Sequence, residues 1–184
     1  MAFIDLSWEQ GKQNMAGLIG DIYFVPIEDV DDTLLPAVTG VGELSISANI
    51  TLKATKKFFK IYHTSETGKV ESNSVGERDG KSVESMLEFF HPGNSEEVAK
   101  FKRQVLNTNG LWLYEDTDGN FRILGLSVLD PGATATSLAL KASVEAGNTT
   151  TGDQRGSQRG TTFTVKFTAP HDPLFYSGLI DVTV

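Results

Sequence analysis

Three segments of the chain alternate between apolar and polar residues with a period of two: 44–53, 138–145 and 162–168. Successive side chains of a β-strand point to opposite faces of the sheet. Each segment therefore predicts a half-buried strand with one face in contact with water.

Further apolar runs at 21–27, 56–63 and 82–90 also predict strands. The last two carry apolar residues on both faces, a pattern typical of strands that are covered on both sides. Pro26 places residues 21–27 at a sheet edge or a strand end. The dipeptide Asp118-Gly119 separates the apolar runs 111–114 and 121–124, which predicts a β-hairpin, because glycine accepts a positive φ at little cost.

Residues 94–108 predict a single α-helix. Asn94 and Glu97 have the spacing of a capping box at its start, and lysine and arginine follow later, as the helix dipole favours. Val98, Phe101 and Val105 form one apolar stripe, which we expect to dock the helix on a sheet.

Two long polar stretches, 64–80 and 147–160, predict loops, and loops of this length in compact domains are usually functional or disordered. The elements together predict one mainly β domain over residues 1–184. We expect an antiparallel β-sandwich or a partly closed barrel with one flanking helix.

The amino-acid composition argues against several classes of function. The chain has 184 residues, a formal net charge of −8 and no cysteine. An acidic chain is a poor clamp for nucleic acid, and the lack of cysteine excludes disulfides, thiolate zinc sites and cysteine nucleophiles. The N-terminus lacks a signal-peptide pattern, and no apolar run is long enough for a membrane span, so we expect a cytosolic chain without membrane contact.

The sequence contains no complete catalytic or metal-binding motif. His63, His91 and His171 do not have the spacing of metal ligands, and residues 125–129 lack the closing glycine of a nucleophile elbow. Residues 116–120 resemble part of a calcium loop, but the hairpin turn explains them better. We therefore expect no catalytic residue, no metal and no cofactor.

Four lysines interleaved with aromatic residues form a candidate cationic patch: Lys53, Lys56, Lys57 and Lys60. Such a pattern is found in nucleic-acid sites. It is also found on surfaces that meet acidic groups, and the net charge of −8 favours that second interpretation.

The order of features resembles the major tail tube proteins of bacteriophages, particularly those of long-tailed phages and prophages from Bacteroidetes-type hosts. Four places between about residues 40 and 180 carry the resemblance. They are 58–62 with the long hairpin 64–80, 86–93 before the helix, 113–125, and 160–167 with 169–178.

The resemblance implies a non-enzymatic structural virion protein. Its partners would be further copies of itself, in rings usually of six that stack into a tube through long loops and terminal arms, here an N-terminal arm of about residues 1–18. Genome DNA would pass through the lumen without tight binding, and other tail proteins would contact the tube. The chain would be assembled in the bacterial host cytoplasm and end in the virion tail.

Within this frame, small polar or acidic residues of the alternating strands are candidates to face the lumen: Ser47, Asn49, Thr51, Ser143, Glu145, Thr162 and Thr164. Lys141 and Lys166 depart from that pattern. The loop 64–80 is the candidate inter-subunit arm, with Thr67, Lys69, Glu71, Glu77 and Arg78 as its contact residues.

A different class of function stays open, that of a β-sandwich module that binds a glycan or a protein. Such a module needs an exposed aromatic platform or a defined pocket. Trp8, Trp112 and Tyr114 are the candidates for the platform, although Trp112 lies in an apolar run that favours the core.

Overall fold

The structure is a computed structural model that describes residues 15–38, 44–130, 132–154 and 156–183. Within these ranges the chain forms two β-sheets and one α-helix. The elements are β1 (Leu18–Pro26), β2 (Ser45–Ile46), β3 (Phe59–Ile61), β4 (Lys69–Val75), β5 (Ser82–Pro92), α1 (Glu96–Val105), β6 (Gly110–Asp116), β7 (Phe121–Leu124), β8 (Ser143–Thr150), β9 (Gly160–Ala169) and β10 (Leu174–Tyr176).

The larger sheet has six strands in the order β2-β10-β7-β6-β1-β3. Its pairs are antiparallel except for the parallel pair of β10 and β2. The smaller sheet has the antiparallel order β4-β5-β9-β8. The predicted mainly β class with one helix is confirmed, and the two sheets form a sandwich rather than a closed barrel.

Aromatic side chains join the two sheets across the interior. The ring of Trp112 on β6 lies 4.4 Å from that of Phe24 and 6.1 Å from that of Phe89, measured between centroids. Phe89 in turn stacks on Phe163 at 5.3 Å. Aromatic pairs at these separations contribute beyond the area they bury, so this row of rings is the centre of the core.

The opposite face of the six-stranded sheet is covered by connecting segments. Leu111, Leu113 and Ile123 point into a second apolar cluster, which the loops complete with Ile50 and Leu126 among others. Residues 110–114 of β6 are consequently buried on both faces of the sheet. Gly110 permits this packing, because a Cβ there would lie 2.3 Å from the ring of Phe24.

The predicted hairpin is confirmed. β6 pairs with β7 from Trp112↔Leu124 to Glu115↔Phe121, and Gly119 in the turn has a φ of 80°. Asp116 accepts hydrogen bonds from the backbone N–H groups of Asp118 and Asn120, at 3.1 and 2.9 Å. The acidic turn therefore satisfies its own backbone, as the hairpin interpretation requires.

Helix α1 is shorter than the predicted 94–108, and its N-cap is Ser95 rather than Asn94. The Ser95 hydroxyl accepts the Val98 N–H at 3.4 Å, whereas the Asn94 side chain donates to the Thr150 carbonyl at 2.9 Å. The apolar stripe faces the core. Val105 is buried, Val98 is half-buried, and the Phe101 ring lies edge-on against Phe24 and Phe163.

The prediction of a long strand over residues 44–53 is wrong, because only β2 forms there. The even positions Ile46 and Ile50 are buried as the pattern implies. Ile46 belongs to β2, which pairs with β10, whereas Ile50 lies beyond the strand. The Ile50 N–H donates to the Tyr176 hydroxyl at 3.3 Å, and the Thr51 carbonyl accepts the Asp31 N–H at 2.9 Å. Beyond β2, alternating burial therefore arises without a continuous strand.

Other boundaries are also corrected. β8 begins at Ser143 rather than at 138 and continues to Thr150, so it takes the first part of the predicted loop 147–160. The predicted loop 64–80 contains β4, whose polar side chains face solvent while its backbone pairs with β5. β3 is only three residues long, and β1 is an inner strand that ends at Pro26.

Phe101 gives a test of the helix docking. We expect Phe101→Ala to lower the free energy of unfolding by about 2 kcal/mol, less than the roughly 3–5 kcal/mol of a fully buried phenylalanine, because the side chain is partly exposed. Urea unfolding followed by tryptophan fluorescence measures the change. Lys100→Ala, on the exposed side of the same helix turn, is the control and should change stability by about 0.5 kcal/mol or less. Equal effects of the two substitutions would contradict the docking.

Candidate functional site

The outer face of the four-stranded sheet carries mostly polar side chains. In β9, Phe163, Val165 and Phe167 point inward and are buried, while Thr162 and Thr164 alternate with them and point outward. The strand registers give the outward set: Lys69, Glu71, Asn73 and Val75 of β4; Ser82, Glu84, Met86, Glu88 and Phe90 of β5; Thr162, Thr164, Lys166 and Thr168 of β9; Ser143, Ala146, Asn148 and Thr150 of β8.

Glu145 projects from a bulge in this face. The pairing of β8 with β9 shifts between Val144 and Ala146, which leaves Glu145 as an additional, exposed residue between them. A bulge commonly redirects a side chain at a sheet edge. Glu145 lies two positions from Ser143, the partner of Lys166 in the neighbouring strand, and its charge contributes to raising the pKa of Lys166.

Both lysines of the face are paired with carboxylates. The Lys166 ammonium lies 2.8 Å from Glu84, and this hydrogen bond raises the pKa of Lys166. The Lys69 ammonium lies 3.5 Å from Glu71 and 3.9 Å from Glu88. Lys166 departed from the predicted pattern of small polar or acidic residues. Its pairing with Glu84 explains how a lysine is accommodated on a face that has more carboxylates than ammonium groups.

The two outermost strands of this sheet, β4 and β8, run in opposite directions. Four strands that alternate in direction, β4-β5-β9-β8, place antiparallel edges on the two sides. Each outermost strand directs half of its backbone N–H and C=O groups away from its neighbour in the sheet. An edge of one copy is therefore compatible in direction with the opposite edge of another.

The two edges are also offset along the strand direction. Ser72, in the middle of β4, lies level with Ser85 of β5. Gly147, in the middle of β8, lies level with Phe163 of β9, which is paired with Phe89 of β5. The middle of β4 is therefore level with Ser85 and the middle of β8 with Phe89, so the two edges are offset by four residues along β5. Because four is even, full pairing of β8 with the β4 of another copy keeps the two polar faces on the same side.

The seven residues that were candidates to face the lumen divide into two groups. Ser143, Glu145, Thr162 and Thr164 share the polar face of the four-stranded sheet. Ser47, Asn49 and Thr51 lie elsewhere, in the segment that follows β2. There the Asn49 side-chain oxygen accepts the Leu179 N–H at 2.8 Å. The second group therefore does not belong to the polar face.

The candidate arm residues lie along one edge of the same sheet. Lys69 and Glu71 are on β4 itself, and the Thr67 hydroxyl, in the turn before it, donates to the Thr64 carbonyl at 2.5 Å. Glu77 and Arg78 are exposed in the turn that leads to β5. The segment is thus an outermost strand with a polar tip, not an irregular loop.

Two of the four lysines of the cationic patch are paired with carboxylates of the chain itself. Lys56 and Lys60 lie 2.8 Å from Asp29 and Asp21, and these hydrogen bonds raise the pKa of both lysines. The Lys53 ammonium donates to the Glu28 carbonyl at 2.5 Å. Phosphate binding would have to replace these contacts, which disfavours a nucleic-acid site here.

A serine–histidine pair that sequence spacing did not indicate lies near the end of β7. The His171 Nε2 is 3.3 Å from the Ser127 hydroxyl and accepts the Val128 N–H at 3.2 Å. The residues are 44 positions apart, so no local motif joins them. Ser127 is 4% exposed, and its hydroxyl also accepts the Leu129 N–H, so the pair holds the turn together rather than facing a substrate.

Two of the three candidates for an aromatic platform belong to the core. Trp112 is 0% and Tyr114 3% exposed, and burial raises the pKa of the Tyr114 hydroxyl. Trp8 lies outside the described residues. Trp112 and Tyr114 therefore do not form an exposed surface on which a glycan could stack.

Within the described parts of the chain, no group of three or more His, Asp or Glu residues is placed to share a metal ion. In the same ranges, no helix has the length and apolar character needed to cross a bilayer. No protein-family model, curated protein or solved structure matches the sequence.

A buried histidine predicts a pH dependence of stability. His63 is 4% exposed, both of its ring nitrogens lack a hydrogen-bond partner, and burial lowers its pKa although Asp21 opposes the shift. The unfolded chain takes up a proton at His63 below about pH 6.5, before the folded chain does. The free energy of unfolding therefore falls as the pH drops through that value.

Urea unfolding at about pH 8 and about pH 5 tests this linkage. His63→Leu should remove part of the difference between the two pH values, while the control His91→Gln should retain it. A difference that is the same in the native chain and in His63→Leu would show that His63 does not carry the effect.

Proposed function

We propose that this chain is a structural subunit that closes into rings through the edges of its four-stranded sheet. The rings stack into a tail tube of the bacteriophage type, with the polar face of that sheet lining the lumen. The observation that carries the proposal is the pair of outermost strands, β4 and β8, which are antiparallel and offset by four residues.

Pairing of these edges between copies satisfies backbone groups that are otherwise a liability. Outermost strands with unpaired N–H and C=O groups can pair with strands of other chains. β4 has seven residues and β8 eight, so each can cover most of the other. The contact is head-to-tail, and such a contact generates a ring when its rotation closes.

The offset matches the geometry of a closed sheet. Four residues at about 3.3 Å each give about 13 Å along the strands, while four strands at about 4.8 Å give about 19 Å across them. If β8 of each copy pairs along its length with β4 of the next in a planar ring, the strands are inclined by about 35° to the ring axis. This angle lies at the lower end of the ~35–45° tilt of β-barrels. A random association of sheet edges has no reason to meet this condition.

The polar face suits a lumen that does not hold DNA. Each cation in contact with a phosphate adds a salt-dependent contribution to binding. Here Lys69 and Lys166 are paired with carboxylates, and the threonines of β9 offer neutral hydroxyl groups. A passing polyanion therefore finds few free positive charges.

The biological setting of the proposal comes from the resemblance to tail tube proteins. That resemblance supplies the ring of six, contact with other tail proteins, assembly in the bacterial host cytoplasm and the final position in the virion tail. The acidic net charge of −8 agrees with a subunit that associates through backbone pairing and not through nucleic acid.

Cysteine cross-linking tests the proposed ring contact directly, because the natural chain has no cysteine. The offset places Ala146 of one copy opposite Asn73 of the next, both on the polar face. We expect the Asn73→Cys/Ala146→Cys double variant to form, on oxidation, a ladder of covalent oligomers that ends at the ring size. Denaturing electrophoresis without reductant measures this ladder.

Two controls define the result. Either single variant has one thiol and can form no covalent species beyond a dimer. The matched pair Ser74→Cys/Ala146→Cys moves one thiol to the opposite face of β4 and should cross-link at least tenfold more slowly. A double variant that forms no more than the single variants do, at concentrations where the native chain associates, would contradict the contact. A chain that stays monomeric at every concentration would instead favour a binding module.

A further inference from the structure

Strand β3 is an outermost strand of the six-stranded sheet, and α1 lies near it. A cavity of about 350 Å³ lies between them, lined by Ile61, Tyr62, Val98 and Phe101 among others. It continues past Phe59 and Phe101 into a second cavity of about 300 Å³. We call the two cavities together the β3–α1 groove.

The β3–α1 groove is lined by large apolar side chains together with polar ones, among them Glu28, Lys60 and Glu97. The stripe of α1 forms one wall, and the rings of Phe24 and Phe163 contribute to its lining. On the other wall Phe59 is 44% exposed and Tyr62 55% exposed. Two large, exposed aromatic side chains beside the β3–α1 groove indicate a surface suited to binding a partner.

An extended peptide fits this arrangement. A strand that adds to an open sheet edge gains main-chain hydrogen bonds, and its alternate side chains enter pockets beside the edge. Helix α1 has ten residues and is therefore about 15 Å long. A groove of that length accommodates about five residues in extended conformation.

The N-terminal segment of this chain has the matching pattern. Ile4, Leu6 and Trp8 alternate with Asp5 and Ser7, so an extended segment presents three large apolar side chains on one side and two polar ones on the other. The segment lies within residues 1–14, outside the described part of the chain.

The connection is long enough for the segment to reach the groove. The described chain begins at Met15, whose carbonyl accepts a hydrogen bond from the Thr117 hydroxyl near the start of β1. The near end of the groove, at Ile61, is level with Ile22 of β1. The seven residues from Trp8 to Met15 span up to about 24 Å. The seven residues from Met15 to Ile22 cover less than that, because β1 is irregular between Ile19 and Tyr23.

We propose that residues 4–8 bind in the β3–α1 groove as an added strand, with Ile4, Leu6 and Trp8 against the helix stripe. The groove is that of the same copy or of a neighbouring one. The proposal does not depend on ring formation through β4 and β8, which lie on the other sheet.

Disulfide trapping in the full-length chain tests the contact. We expect Leu6→Cys/Val98→Cys to oxidise at least tenfold faster than Leu6→Cys/Ala99→Cys, because Val98 lines the groove and Ala99 is exposed. A fast intramolecular product supports binding within one copy, and a fast intermolecular product supports binding to a neighbour. Equal rates for the two pairs would overturn the proposal.

Hydrogen exchange gives a second measurement that does not depend on thiol placement. In Ile4→Ser/Leu6→Ser we expect amides of β3 and of residues 4–8 to exchange at least tenfold faster than in the native chain. The control Asp5→Asn/Ser7→Ala changes the polar side of the same segment and should leave exchange unchanged. Unchanged exchange at β3 in both variants would also overturn the proposal, whether or not rings form.

Discussion

Strand β6 is buried on both of its faces, and the rest of the architecture depends on that burial. Trp112 packs toward the four-stranded sheet, while Leu111 and Leu113 pack toward the connecting segments. The six-stranded sheet is therefore the middle layer of the described domain. Because a sheet with two apolar faces must be covered twice, the long connections of this chain serve as a third layer.

This arrangement leaves the four-stranded sheet with one face covered and one face in solvent. Its inner side chains complete the core, and its outer ones carry hydroxyl groups, carboxylates and two paired lysines. Strands of another copy can therefore pair with the edges of this sheet without disturbing the core. Stability and the proposed assembly are carried by different parts of the molecule, the first by β6 and its contacts and the second by β4 and β8.

The sequence predicted best the elements whose local pattern and tertiary environment agree. In β9, alternating threonines and large apolar residues lie between one covered and one open face, and the Asp118-Gly119 turn closes on its own side chains. Residues 44–53 show the limit, because only Ser45 and Ile46 pair with a strand, whereas Ile50 is buried outside any strand. The serine–histidine pair and the offset of the sheet edges join residues distant in sequence, and periodicity contains no information about such contacts.

The most direct test of the central claim is a reconstruction by electron cryomicroscopy of the particles that the concentrated chain forms. We expect rings in which β8 of each subunit pairs with β4 of the next, with strands inclined by about 35° to the axis. Thr162, Thr164 and Glu145 would line the opening. Rings joined by any other element, or with the polar face of the four-stranded sheet on the outside, would contradict it.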